Sequence, residues 1–249
     1  MIVRMKWICC VGLLLVLLGQ YCDAADQGVE QIIKSAELAY QSGEYKKSEQ
    51  LYYQILDLNP KNKAVLYNLG NVNYSLNHIG KAIYFYKKAL DFNPRDKEAA
   101  HNLAVVSAKK VDHALSVRPP RLIKGLNLLS MKEYVTLLLI VTTIFNVSFI
   151  LWIYHRKPMM PVLLSMFGII LIVLLIGGGK LTVQLMYRSG ILIAQKIAVK
   201  SGPSEAFSTV IFLHEGTEVY IVKKTKKWTE VVLQGGVRGW VKSHGVWGL

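Results

Sequence analysis

Asp57-Leu-Asn-Pro60 and Asp91-Phe-Asn-Pro94 stand 34 residues apart in this chain of 249. The offset persists in the residues around them. One unit runs Tyr67-Asn-Leu-Gly-Asn71, Tyr74, Ala82, Tyr86, Ala89, Leu90 and Pro94. The unit before it carries Ala36, Tyr40, Gly43, Tyr45, Tyr52, Leu56 and Pro60. A third begins as Lys97-Glu-Ala-Ala-His-Asn-Leu-Ala104 and lacks a full second helix. A period of this length is the mark of stacked helix pairs. Small residues (Ala36, Gly70, Ala104, Ala82, Ala89) let paired helices approach, tyrosines and leucines fill the space between them, and each proline ends a second helix. Two and a half units are close to the minimum for stability, so the open end needs a cover: the segment that follows, a membrane or a partner.

These positions resemble the tetratricopeptide (TPR) repeat family at its signature residues Pro60, Leu69, Gly70, Ala82, Tyr86, Ala89 and Pro94. The first unit departs at Ser48 and Ile55, where small alanines are usual. The resemblance implies a concave groove lined by the first helix of each unit, with Ile33, Glu37, Tyr40, Tyr67, Asn71, Tyr74, His101 and Val105 at its exposed positions. Such grooves take a protein partner or an extended peptide, and Tyr67, Asn71, Tyr74 and His101 are the contact candidates. Asn68 and Asn102 are read as structural.

The rest of the chain is too apolar for one soluble globule: 52% of residues are hydrophobic and the mean hydropathy is +0.31. Arg4 and Lys6 precede the apolar run Ile8–Leu18, and Cys22-Asp23-Ala24 supplies small residues for cleavage before Ala25. Residues 1–24 therefore read as a signal peptide and 25–117 as the repeat module. Residues 118–133, with Leu122, Ile123, Leu126 and Leu129 on one face, suit a helix lying in a membrane interface. Two uncharged runs follow, with spans at 134–154 and 159–179 around His155-Arg156-Lys157. Each is long enough to cross a hydrocarbon core of about 30 Å, and together they form a two-helix transmembrane hairpin. Asn146, inside the first span, suits a hydrogen bond to the other helix or contact with a partner's membrane helix.

An export signal expects both soluble parts in the periplasm and a two-pass protein of a bacterial inner membrane. The flanking lysines and arginines favour the opposite orientation, but long domains translocate largely regardless of charge. The net charge of +14 gathers beside the apolar runs, at Arg118, Arg121, Lys124, Lys132, Lys180, Arg188 and others. That distribution points to anionic lipid and away from nucleic acid. Cys9, Cys10 and Cys22 all fall within or beside the signal, so a processed chain has no disulfide and no cysteine ligand.

After the second span the pattern changes to short strands and turns. Val210–Leu213, Val219–Val222, Trp228–Leu233 and Gly239–Val241 read as strands, Lys223–Lys227 as a charged loop, and Gln234-Gly-Gly236 as a hairpin turn. Val199-Lys-Ser-Gly-Pro-Ser204, Leu213-His-Glu-Gly-Thr217, Trp228 and Gly239-Trp-Val241 resemble bacterial SH3 (SH3b) domains over 190–249. The expected fold is thus multidomain: an all-α TPR repeat, a two-helix membrane hairpin and an all-β SH3-like small barrel. Ser201, Ser204 and Trp228 are the candidate surface on the barrel, with Trp240 assigned to its core. The SH3b resemblance implies protein interaction or the binding of cell-wall peptides.

Signal, short TPR array, hairpin and SH3b, in this order, resemble BatE-like proteins of the Bat (aerotolerance) group. That implies a membrane complex with von Willebrand factor A-domain partners, linked to stress tolerance. The expectation is a scaffold that presents both modules for protein–protein interaction. The alternative is a peptidoglycan-binding sensor acting through the barrel. No catalytic role is expected: the histidines have no paired-ligand spacing, and no nucleophile elbow, phosphate loop or dinucleotide fingerprint occurs. No metal or cofactor is expected either.

Overall fold

The computed structural model describes residues 28–113, 115–116, 130–155, 160–186 and 188–249. The expected signal peptide with its Ala24–Ala25 junction, the three cysteines, most of the expected interfacial segment and the expected turn of the hairpin lie outside the described residues. The chain forms two compact units, residues 1–77 and 78–249, divided inside the second repeat.

The first unit holds α1 (residues 28–41), α2 (Tyr45–Leu58) and α3 (Lys63–Ser75). The Asn59 N–H closes α2 onto the Ile55 carbonyl, and Pro60 follows at once. Asn62 starts α3 by accepting the Val65 N–H at 3.2 Å, the usual work of an asparagine at a helix N-cap. Ala36, Tyr52, Ile55, Leu69 and Val72 are almost wholly buried. Ser48, one of the two departures from the repeat pattern, is fully buried and donates to the Ala36 carbonyl at 2.8 Å. Its hydroxyl thus stitches α1 to α2, and Ile55, the other departure, serves as core.

The second unit begins with α4 (Ile79–Phe92) and α5 (Lys97–Ser107), which pack on each other. Ala82, Tyr86 and Ala89 are buried as the repeat signature requires, and Asp96 caps α5 through the Ala99 N–H. Ser130 and Glu133 exchange side-chain-to-backbone hydrogen bonds at the start of α6 (Met131–His155), a capping box. Glu133 also pairs with Arg95. Helix α7 (Met160–Met186) packs along α6.

Among the described residues one window, Lys132–Trp152, has both the length and the hydropathy (2.2) for a membrane span. Past Tyr134 its residues are exposed or half-buried and none is fully buried, so no protein core accounts for its apolar surface. The apolar stretch of α7, Leu164–Gly179, is shorter, so the second leg of the expected hairpin has the weaker support. Asn146 donates to the Thr142 carbonyl at 2.8 Å. The expected bond across the hairpin is replaced by one within the helix, as short polar side chains in helices often prefer.

The barrel is one antiparallel sheet of seven strands: β1 (Ser189–Leu192), β2 (Lys196–Lys200), β3 (Thr209–His214), β4 (Glu218–Lys224), β5 (Trp228–Val232), β6 (Arg238–Lys242) and β7 (Val246–Gly248), in the spatial order β3-β2-β6-β5-β4-β1-β7. Leu192, Ile197, Val199, Leu213, Val219, Val231, Val241 and Val246 form its core. Four of these strands match the expected ones; β1, β2 and β7 add to them. Gly235 and Gly236, both at positive φ, make the expected β5–β6 turn.

Candidate functional site

A cleft opens within the first unit. Glu37, Tyr40 and Gln41 of α1, Tyr52 of α2, and Asn68, Asn71 and Val72 of α3 line it, and its volume is about 110 Å³. The Asn68 side-chain amide donates to the Tyr52 hydroxyl at 3.1 Å. Tyr40 shares a 3.3 Å hydrogen bond with Ser75 and sets its ring against Tyr45 with centroids 5.4 Å apart. These contacts hold the wall in one shape before any ligand arrives. The space is well below the several hundred Å³ of a typical small-molecule pocket. Its edges offer amides, a carboxylate and phenols, the groups that read the main chain of an extended peptide.

Burial, reinforced by the Glu37 carboxylate, pushes the Tyr52 phenol up to about 12. An unfolded tyrosine ionises near pH 10, so the folded chain keeps this proton when the unfolded chain has lost it. The stability tied to this proton is therefore complete below pH 10 and disappears as pH rises through about 12. In an ultraviolet phenolate titration, the difference between the native chain and Tyr52→Phe should be a single step centred near pH 12. A step near pH 10 would mean that the phenol is solvated.

Of the four groove candidates, Asn71 lines the cleft. Tyr67 and Tyr74 are half-buried and outside the lining, and His101 is exposed in the second unit. Tyr52 and Asn68 are additions. Their positions read as packing and structural ones, and only the hydrogen bond between them shows their polar ends turned to the cleft wall.

The second unit contains a junction that no sequence motif announced: the barrel docks on α4 and on the segment after α5. The Glu215 carboxylate accepts the Gly80 N–H at 2.9 Å, at a helix start where His78 makes no side-chain cap. A carboxylate there also meets the positive end of the helix dipole. A β-carbon on Gly80 would overlap the Leu192 carbonyl oxygen and come within 3.0 Å of the Gly216 nitrogen. Gly216 itself has φ +81°, a left-handed conformation that suits glycine.

Asp112 accepts the His214 backbone N–H at 2.6 Å and the Thr217 hydroxyl at 3.1 Å. Glu218 bridges Lys87 of α4 and Lys110, the latter at 3.5 Å. Trp247 sets its ring edge-on to Tyr84 and Phe85 at 5.0 and 5.9 Å. The stretch His214-Glu-Gly-Thr217, part of the barrel's family signature, is thus occupied within the chain.

The opposite candidates on the barrel remain open. Ser201 and Ser208 close their loop through a 3.1 Å hydroxyl contact, and Ser204 accepts the Ala206 N–H. The β5–β6 register sets Trp228, half-buried, opposite Lys242. Lys242 reaches Glu205 of that loop at 2.6 Å, and this hydrogen bond lowers the Glu205 pKa. Ser201, Ser204 and Trp228 therefore border one side of the barrel. Among the described residues no group of three or more His, Cys, Asp or Glu comes together as a metal site.

Comparison with known proteins gives two matches. Residues 39–105 match the tetratricopeptide repeat family model and residues 194–248 the bacterial SH3 domain model. No curated protein matches the chain at a significant level. The chain therefore carries a TPR segment followed by a bacterial SH3 domain, modules that serve protein–protein interaction or peptidoglycan binding.

Proposed function

We propose that this protein is a non-catalytic adaptor, anchored in a bacterial inner membrane by α6 and α7, that presents its TPR cleft and SH3b barrel to the periplasm. The cleft carries this reading: prearranged amides, phenols and a carboxylate from α1, α2 and α3, around a space too small to enclose a small substrate, suit a peptide segment of another protein. The order of modules adds a Bat-like complex linked to stress tolerance or aerotolerance, with von Willebrand factor A-domain membrane proteins as partners. The largely exposed apolar surface of α6 supports the anchor.

A second reading has the barrel grip peptidoglycan through the open side bordered by Ser201, Ser204 and Trp228. Its specific support is that this side stays free while the opposite face is taken up by α4.

Location is tested by placing single cysteines at Ser42 and Ser208, both exposed, in a chain whose own cysteines are changed to serine. Intact cells are then treated with an impermeant thiol reagent. Labelling at both positions is expected. Protection at both, relieved by lysis, would put the domains in the cytoplasm and end the periplasmic assignment.

A further inference from the structure

The β4–β5 hairpin ends in Lys223-Lys-Thr-Lys-Lys227, four lysines in five residues, all exposed and preceded by Val222, itself 54% exposed. No acidic side chain among the described residues pairs with these lysines. The register brings Glu230 opposite Lys223, and no ion pair joins them. The docking of α4 and the TPR cleft make no use of this tip, which adjoins the Ser201–Trp228 side at Trp228.

The tip is held rigidly. Thr225 donates its backbone N–H to the Trp228 carbonyl at 2.8 Å and its hydroxyl to the same oxygen at 2.7 Å. The Thr225 hydroxyl oxygen accepts the Trp228 N–H at 3.0 Å. The Thr225 carbonyl accepts from Ser243 at 2.9 Å. A solvated loop of lysines needs no such fastening, whereas a loop that must present its charges in one direction gains from it.

Strand register gives that direction. β4 runs antiparallel to β1, with Ile191 opposite Glu218 and Ser189 opposite Tyr220, and the Ile221 N–H continues the ladder to the Arg188 carbonyl at 2.7 Å. Beyond that point β4 passes the place where the chain enters the barrel. Lys224, four residues after Tyr220, stands about 13 Å farther along at the usual rise per strand residue. α7 ends at Met186, three steps before Ser189, so its last residue lies within about 11 Å of Ser189. The lysine tip and the end of the membrane helix therefore share one end of the barrel. Glu215, Gly216 and Glu218, which engage α4 and Lys110, occupy the other end.

We infer that the Lys223–Lys227 tip is a docking surface for anionic phospholipid headgroups of the bilayer from which α7 emerges. It fixes the barrel, and with it α4, against the membrane. The inference rests on the membrane anchoring proposed above. α7 runs about 10 Å past its apolar stretch, and the link of two residues then keeps the barrel close to the headgroups, where exposed Arg188 adds a further cation and Val222 an apolar contact. Near an anionic surface each lysine favours contact by about fivefold.

The test uses the full chain, its native cysteines changed to serine, in lipid nanodiscs of phosphatidylcholine with and without phosphatidylglycerol. One spin label sits at Val222→Cys and, in a second preparation, one at Val147→Cys in the middle of α6. The α6 label is expected to be reached by oxygen and not by a water-soluble nickel chelate in both lipids. The Val222 label is expected to lose access to the chelate several-fold only when phosphatidylglycerol is present. Replacing Lys223, Lys224, Lys226 and Lys227 with glutamine should restore that access, as should high salt.

If the α6 label is open to the chelate, the anchor reading fails and this inference falls with it. If α6 is embedded while the Val222 label responds equally in both lipids, the anchor stands and the lipid-docking inference is overturned. An acidic protein or wall polymer would then be the better match to the lysines.

Discussion

Glu218→Ala should release the barrel from α4. The carboxylate sits between Lys87 and Lys110, whose side chains are only 24% and 9% exposed, so its removal leaves two poorly solvated ammonium groups facing each other. Breaking a buried pair by deleting one partner costs about 3 kcal/mol or more; the exposure of Lys87 keeps the expectation at about 3 kcal/mol. Read by native-state amide exchange of the full chain, protection along α4 and β1 should fall by roughly a hundredfold, with the barrel's central strands unchanged. Adding Lys87→Met and Lys110→Met to the variant should restore most of the loss, because the stranded charges are then gone. Unchanged protection in Glu218→Ala would mean that the junction does not depend on this bridge.

Gly80→Ala makes the second large prediction, and it runs against helix propensity. Near the start of an exposed helix, alanine in place of glycine would add up to about 1 kcal/mol. Here the new methyl meets the Leu192 carbonyl oxygen and approaches the Gly216 backbone, and neither belongs to a flexible side chain that can move aside. Overpacking of this kind costs about 1–3 kcal/mol. The Gly80 N–H must also retreat from the Glu215 carboxylate, leaving both less well paired. The expected result is faster protease cleavage in residues 108–116, the segment that joins α5 to the junction, with α4 itself still helical. Slower cleavage would show that helix propensity dominates and that the close approach is tolerated.

These two positions also mark where sequence reading runs out. The 34-residue offset between Pro60 and Pro94 exposes the repeat because each proline acts locally, and the buried Ala82, Tyr86 and Ala89 follow from it. Ser48 looked like a flaw in the pattern. It is a side-chain bridge to a carbonyl twelve residues earlier, which no local rule marks. His214-Glu-Gly-Thr217 was legible as a barrel signature, whereas its second use depends on Asp112 and Gly80, more than a hundred residues away in sequence. Contacts of that range leave no periodic trace.

The barrel's strands divide in the same way. β3 to β6 are bounded by turn residues and were visible, whereas β7 is three residues long and β1 follows the apolar helix α7 so closely that its Ile191 and Leu192 extend the same apolar signal. In the cleft, Asn71 was legible as an exposed position on a first helix. Tyr52 was not, because a buried tyrosine reads as packing until its hydroxyl is seen bonded to Asn68. Tyr67 and Tyr74, aromatic and on the same helix as Asn71, drew attention by residue type, although their side chains lie outside the cleft lining.

The adaptor reading stands on the cleft, and the most direct measurement is site-specific photocrosslinking in living cells from a photoreactive residue at Asn71. The products are compared before and after digestion of the cell wall with a muramidase. The account predicts a discrete adduct with a second protein, of one size with or without the enzyme, and weakened when Glu37 and Tyr40 are changed to alanine. Adducts that appear only as wall-bound material and collapse on digestion, or no adduct from Asn71 at all, would contradict it.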